Sequence, residues 1–314
     1  MDLPKPVISS EHEPFARSVL AGLSRARKAV EPRWLYDEVG AKLFEAITKL
    51  DHYYPARTET ALLEDAADDI ADALGDNVAI VEPGSGEALK VRPLLGALAG
   101  RVRQYVPIDI AEAQLDSVAR EMAALYPGLA VTPVAADFFQ PFKTPPVDNA
   151  VVFFPGSTVG NMPPDEATQF LARLKSATGA RRALIGFDLQ KPWPILRDAY
   201  DDPAGVTSAF MKNVLQRMNR ELGATFDLSA FGYRVRWNEE VAAVDMNLVA
   251  RHAHSVSVAG QTFALGAGEE IHTEYSRKYT PERIAALTAG AGFKPVKTWT
   301  DDRAYFAVVL FEET

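Results

Sequence analysis

Residues 78–90, Val-Ala-Ile-Val-Glu-Pro-Gly-Ser-Gly-Glu-Ala-Leu-Lys, restrict the possible folds more than any other stretch. Val78 to Val81 is a continuous apolar, β-branched run, the pattern of a strand covered on both faces. Glu82 ends it, and Gly84-Ser85-Gly86 turns the chain into a segment with apolar residues at 88, 89, 91, 94, 95 and 98. Glycine belongs in such a turn because backbone without a Cβ admits a ligand and tolerates positive φ. A strand, a glycine turn and a helix make the first unit of a nucleotide-type site at the carboxyl end of a parallel strand. Leu89 stands where a dinucleotide fingerprint needs its third glycine, and Lys90 is misplaced for a phosphate loop. A glycine turn with no ligand is the plain alternative, and two later carboxylates argue against it.

The strand-helix rhythm continues for about a hundred residues. Thr58 is expected to cap a helix carrying Leu62, Leu63, Ala66, Ile70 and Leu74, with Gly75 closing it. Further strands are expected at 104–109, 130–134, 149–154 and 183–188, with helices after the second and fourth. Five strands alternating with helices predict a parallel sheet with crossovers. Residues 189–278 break the rhythm with Pro192-Trp-Pro194, a polar helical run from Ala209 to Leu222, and alternating segments at 233–237 and 243–250. That insertion is too long for a loop. A helix at 281–292 and a hairpin, 296–300 with 305–311, close the chain and add an antiparallel strand.

Composition removes several classes of function. The 314 residues are 47% apolar and 24% charged, with a net charge of −9, and no basic cluster offers a nucleic-acid footprint. No apolar run approaches the ~20 residues of a membrane span. The first six residues lack the apolar core of a signal peptide, and there are no cysteines, so a cytoplasmic chain is expected.

Asp109 follows Gly86 by 23 residues, at the end of the second strand. A carboxylate there can accept from both hydroxyls of a ribose. Asp137 beside Phe138 adds an acceptor for an adenine amine and a ring to stack on it. Together with the closing hairpin and the missing third glycine, this favours an S-adenosylmethionine methyltransferase over a dehydrogenase. Each acid as a simple helix cap is the plain alternative. The fourth strand ends in Gly156-Ser-Thr-Val-Gly-Asn161, whose carbonyls and Asn amide can orient an acceptor amine. Methyl transfer to nitrogen leans on such positioning, up to ~7 to 11 kcal/mol in ideal cases. His252-Ala-His254 suggests two ligands on a strand face, but no third metal ligand accompanies them, and no metal is expected. Glu274 and Ser276 alternate, so on a strand they share one face, where solvent is the plain alternative.

Taken together the chain resembles, along its whole length, the histidine-specific Nα-methyltransferases that make trimethylhistidine (hercynine) in ergothioneine biosynthesis. The resemblance rests on Trp34-Leu-Tyr36-Asp-Glu-Val-Gly40, Tyr53-Tyr54-Pro-Ala-Arg57-Thr58-Glu59, Gly84-Ser-Gly86, Gly156-Ser-Thr-Val-Gly-Asn161, Tyr200-Asp-Asp202, Phe226-Asp-Leu228 and Thr273-Glu274-Tyr-Ser276-Arg-Lys278. It implies an α/β fold, a Rossmann-like class I methyltransferase sheet with a terminal antiparallel strand, plus a smaller α+β substrate domain. Residues 59–188 with 279–314 would form the cofactor domain, and 1–58 with 189–278 the substrate domain. S-adenosylmethionine contacts are implied at Gly84, Gly86, Lys90, Asp109, Asp137 and Phe138. The substrate carboxylate would meet Tyr53 and Tyr200, and its amine Asn161 and the Gly156 carbonyl. The imidazole would be read by Glu274 and Ser276, with Tyr36 near and Met246 packed on the ring. Glu87-Ala-Leu departs from the small hydroxyl residues usual after the glycines.

The expected activity is threefold methylation of the α-amine of free L-histidine by a monomer, with mono- and dimethylhistidine as further substrates and neither nucleic acid nor membrane as partner. Alternatives are a relative acting on tryptophan or a prenylated tryptophan, and a non-catalytic module binding an amino acid or nucleotide. Glu274, Ser276 and Met246 argue against tryptophan, because a carboxylate suits an imidazole N–H.

Overall fold

The computed structural model describes residues 9–314. The reading of the first six residues therefore lies outside the described part. The chain divides into two compact units, one running up to Tyr54 and resuming over Lys191–Arg277, the other Pro55–Gln190 with Lys278–Thr314.

The second unit is built on an eight-stranded sheet. Its order runs Phe293–Thr300, Phe306–Glu313, Arg182–Asp188, Ala150–Phe154, Val78–Pro83, Val102–Asp109, with Ala130–Val131 and Val134–Ala135 both paired to the last. The pairings are parallel from Arg182–Asp188 across to the short strands. Phe306–Glu313 runs antiparallel to both of its neighbours. Val78–Pro83 and Ala150–Phe154 are buried along their whole lengths, as strands with helices on both faces must be. One core holds Val81, Val106, Val152 and Phe154 against Phe170 and Leu171, and the other holds Ile80, Tyr105, Val151 and Phe153 against Leu94 and Leu95. The chain leaves Val78–Pro83 toward one edge and later returns to pair on its other side. The strand order therefore reverses between Val78–Pro83 and Ala150–Phe154, the place where ligands lodge beyond the carboxyl ends of open α/β sheets.

Four local expectations give way: the strand expected over 130–134 is split into Ala130–Val131 and Val134–Ala135. Thr58 does not cap a helix; it is a buried residue within Tyr54–Asp65, which starts earlier because Pro55 suits a first turn. The expected single helix is two, Tyr54–Asp65 and Ala67–Leu74. The helix after the glycine turn begins only at Arg92, because Ala88 sits at φ +52° and prevents an earlier start.

The first unit centres on a four-stranded sheet in the order Lys28–Ala29, Glu270–Arg277, Ala243–Ala250, Phe231–Asn238. A separate hairpin pairs His254–Val258 with Gln261–Leu265. The sheet's two faces differ sharply. Asp245, Arg236 and Tyr275 stand in register on one face. There Asp245 accepts from Arg27, Arg236 and His272. Burial alone would raise its carboxyl, but the hydrogen bond and charge of His272, with Arg27, hold it down at about 2. The other face carries Met246, Glu274, Val244 and Ser276, also in register. The helix Val206–Leu222 begins three residues before the expected Ala209, with Gly205 at its N-cap, and Asp202 accepts from Val206 N at 2.9 Å and Thr207 N at 2.8 Å.

Candidate active site

The glycine turn of the second unit is pinned to the neighbouring strand. Gly84 N and Ser85 N both donate to the Ile108 carbonyl, at 2.7 and 3.2 Å. Gly84 and Gly86 sit at φ +69° and +52°, the left-handed region that glycine enters without strain. A Cβ on Gly84 would lie 3.2 Å from the Phe138 ring, so that ring closes directly on the turn. Asp109 Oδ2 accepts from Gly86 N and Oδ1 from Ala111 N, each at 3.1 Å. A carboxylate has about four acceptor positions, and these two bonds leave the rest for a diol. Asp137 accepts from Phe139 N at 2.9 Å, which fixes the loop carrying Phe138 against Phe139, Phe154 and Phe170. The open backbone, the acid with spare acceptors and the ring on the turn together fit an adenosine-type group.

The turn after Ala150–Phe154 is held equally firmly. Gly156 is exposed at φ +85°, and Ser157 follows in the left-handed region at φ +52°. Ser157 Oγ accepts from Asp188 N at 2.9 Å, and Gly156 N donates to Glu59. Asn161 ends the short 3-10 helix Thr158–Asn161, half-buried. Lys90 Nζ donates to Glu59 at 2.5 Å. In the sequence Glu59 stands only as part of a motif, and Glu82 only as a strand end. Glu82 is buried and receives the Tyr105 hydroxyl at 2.5 Å. Burial pushes its carboxyl up to about 8, against the lowering effect of that hydrogen bond. An acid directly after a wholly apolar run was the available signal.

The first unit gathers Tyr36, Tyr53, Tyr200, Met246, Glu274 and Ser276. Tyr200 Oη and Ser276 Oγ are 2.8 Å apart, and the Tyr53 ring meets Tyr200 edge-on at 5.8 Å. Tyr36 packs edge-on against Phe44 at 5.5 Å and Phe210 at 5.2 Å. Glu274 is buried and stands opposite Met246 in the sheet. Tyr36 keeps 40% of its surface accessible, yet its phenol is raised well above the ordinary value, first by desolvation and then by the Glu274 carboxylate and the hydroxyls of Tyr53 and Tyr200.

The motif around Tyr36 is a positioning device. Asp37 caps the helix Glu38–Thr48 through Gly40 N at 2.8 Å and also accepts from Asn213 and Arg220, each at 2.6 Å. Gly40 has no alternative, since a Cβ there would lie 1.8 Å from the Leu35 carbonyl oxygen.

His252 and His254 do not share a strand face: only His254 lies in a strand, and His252 precedes it in a bend. Among the described residues no group of three or more His, Cys, Asp or Glu side chains is placed to hold a metal. Among the same residues no helix is long and apolar enough to cross a membrane.

A doubly wound sheet with a glycine turn and a ribose-type acid at its switch point, closed by an antiparallel last strand, defines a class I methyltransferase using S-adenosylmethionine. The chain belongs, more narrowly, to the SAM-dependent histidine-specific methyltransferases, whose family model matches residues 15–313. It is 41% identical to the histidine N-alpha-methyltransferase of Mycolicibacterium smegmatis, over 96% of this chain and 95% of that protein. It is 38% identical to the enzyme of the same name from Mycobacterium tuberculosis, over 95% of each. A 4-dimethylallyltryptophan N-methyltransferase of Arthroderma benhamiae is 24% identical, over 94% of this chain and 92% of that one.

Proposed function

We propose that this enzyme methylates the α-amino nitrogen of L-histidine three times, giving hercynine. The observation that carries this reading is the in-register placement of Glu274, Ser276 and Met246 on one face of the sheet, with Ser276 tied to Tyr200. An imidazole needs an acceptor for its N–H and a polar partner for its second nitrogen. The Glu274 carboxylate supplies the first and the Ser276 hydroxyl the second. Met246 gives the ring an apolar, polarisable contact. Tyr53 and Tyr200 would donate to the substrate carboxylate.

In the second unit, Gly84, Gly86, Lys90, Asp109, Asp137 and Phe138 would hold S-adenosylmethionine, Asp109 at the ribose and Asp137 with Phe138 at the adenine. When bound, that group supplies an electrophilic methyl on a sulfonium. Asn161 and the Gly156 carbonyl would hold the amine so that its lone pair points at that methyl. Each round loses one proton from the ammonium, forms an N–CH3 bond and breaks the S–CH3 bond. Only a neutral amine carries the lone pair, so deprotonation precedes each attack. Tyr36 is a neutral phenol around pH 7, as any tyrosine is, and burial only raises its hydroxyl further. Its role is therefore a hydrogen bond rather than proton abstraction.

The two compact units would divide the work, the second as cofactor domain and the first as substrate domain. Every group invoked comes from one chain, so a monomer suffices, and the absence of cysteine fits a cytoplasmic setting. The deciding experiment incubates the protein with S-adenosylmethionine and each of the twenty amino acids, then reads methyl gain by mass spectrometry. Histidine gaining up to three methyl groups is the expected result. Methylation of tryptophan instead would favour the runner-up, and binding without turnover would point to a non-catalytic module.

A further inference from the structure

Glu59 is almost wholly buried, and nothing in the roles assigned so far uses it. Both of its oxygens accept from one backbone group, Gly156 N, at 2.7 and 2.9 Å. One of them also takes the Lys90 ammonium at 2.5 Å. The carboxylate fits only because residue 186 carries no side chain: a Cβ on Gly186 would lie 2.1 Å from Glu59 Oε1. Lys90 is close to the same turn, with its Nζ 3.5 Å from where a Gly156 Cβ would be. One carboxylate thus joins the helix Tyr54–Asp65, the segment after the glycine turn and the turn after Ala150–Phe154.

A buried charge must be paired, and Lys90 alone does that. The ion pair does not explain why both oxygens converge on a single peptide N–H. That peptide begins the Gly156–Asn161 turn, whose conformation is left-handed at two consecutive residues and would drift without an anchor. Its second anchor is Ser157 Oγ on Asp188 N.

We propose that Glu59 is a positioning residue for methyl transfer, holding the Gly156 peptide so that its carbonyl and Asn161 present the amine in line with the methyl. This rests on the reading that the turn receives the α-amine. In-line displacement is sensitive to such placement, and a shift of about 1 Å can cost on the order of 100-fold in rate. Glu59→Gln nearly preserves size but brings an amide NH2 against either Gly156 N–H or the Lys90 ammonium, so the clamp opens.

The test uses the full chain with the amino acid that the wild type methylates. Kinetics are read beside calorimetric cofactor affinity and melting temperature. Glu59→Gln should lower kcat about 10- to 100-fold, with amino-acid KM and cofactor Kd each within about threefold. Gly186→Ala, which displaces the carboxylate without removing it, should lower kcat in the same way. It serves as the deciding variant if Glu59→Gln does not fold. Either folded variant keeping kcat within threefold of wild type overturns the proposal. So does a kcat loss matched by equal losses in cofactor affinity and melting temperature, which makes Glu59 a buried ion-pair partner only. A wild type that methylates another amino acid but not histidine overturns the substrate reading and leaves the clamp to be judged on that amino acid.

Discussion

Tyr200 Oη and Ser276 Oγ lie 2.8 Å apart, joining the end of the helix Trp193–Tyr200 to the sheet face that also carries Glu274. Tyr200 is fixed from its backbone side too, since its carbonyl accepts from the Tyr233 hydroxyl at 2.8 Å. These two hydroxyls are therefore pre-set by the fold, so the cost of orienting them is met on folding.

From this face comes the first prediction. Glu274→Ala should cost histidine about 1.5 to 3 kcal/mol, roughly 10- to 150-fold in kcat/KM. The same change should narrow the gap between histidine and phenylalanine, because the group that favours an imidazole N–H over an apolar ring is gone. Measuring kcat/KM for both amino acids decides it. Equal losses for the two would assign Glu274 to the fold.

Asp109→Ala should weaken S-adenosylmethionine at least tenfold by calorimetry, since hydrogen bonds to a charged group contribute about 1.5 to 3 kcal/mol each. It also strands the Gly86 and Ala111 N–H groups that Asp109 now accepts from, so a modest drop in melting temperature should accompany it. A folded variant with unchanged affinity removes Asp109 from the ribose.

Asn161→Ala should depress kcat more than cofactor affinity if the amide orients the amine. In the wild type, kcat should rise with pH until the bound amine is deprotonated, then level. A variant whose kcat stays within threefold of wild type would show that Asn161 is not orienting the nucleophile.

Glu82 gives a prediction about stability. Its folded value of about 8 lies above the ~4.3 of an unperturbed glutamate, so the folded chain holds a proton that the unfolded chain releases. This contribution is complete below about pH 4.3, declines as pH rises toward 8, and is flat beyond. Glu82→Gln keeps an acceptor for Tyr105 and removes the titration. The stability of the variant relative to wild type, from urea melts at pH 5 to 9, should therefore rise with pH and then plateau. A difference independent of pH would mean that Glu82 is ionised in the fold.

Gly40→Ala should be strongly destabilising for a small change, because the new Cβ meets a backbone oxygen that no rotamer can move. Histidine turnover should suffer beyond the loss of stability, since the same turn places Tyr36. A melting temperature equal to that of wild type would contradict the packing described around Leu35.

Local pattern fixed what depends on local pattern. The apolar run at Val78–Val81 and the glycine turn specify a parallel strand followed by a tight turn, and spacing alone puts Asp109 at the end of the next strand. The alternation of Glu274 and Ser276 placed them on one face, because side chains on a strand repeat every two residues. Resemblance supplied the substrate and the site assignments that spacing could not.

Only the tertiary structure decided the rest. Thr58 looked like a cap because capping residues and buried threonines are written with the same letter. Glu82 and Glu59 looked like a strand end and a motif letter until burial, Tyr105 and Gly156 gave them partners. Asp245 showed no distinction from any strand acid, yet Arg27, Arg236 and His272, from three different segments, converge on it. A carboxylate's charge state is set by the groups within a few ångströms, and those groups are brought together by the fold and not by neighbouring positions in the chain.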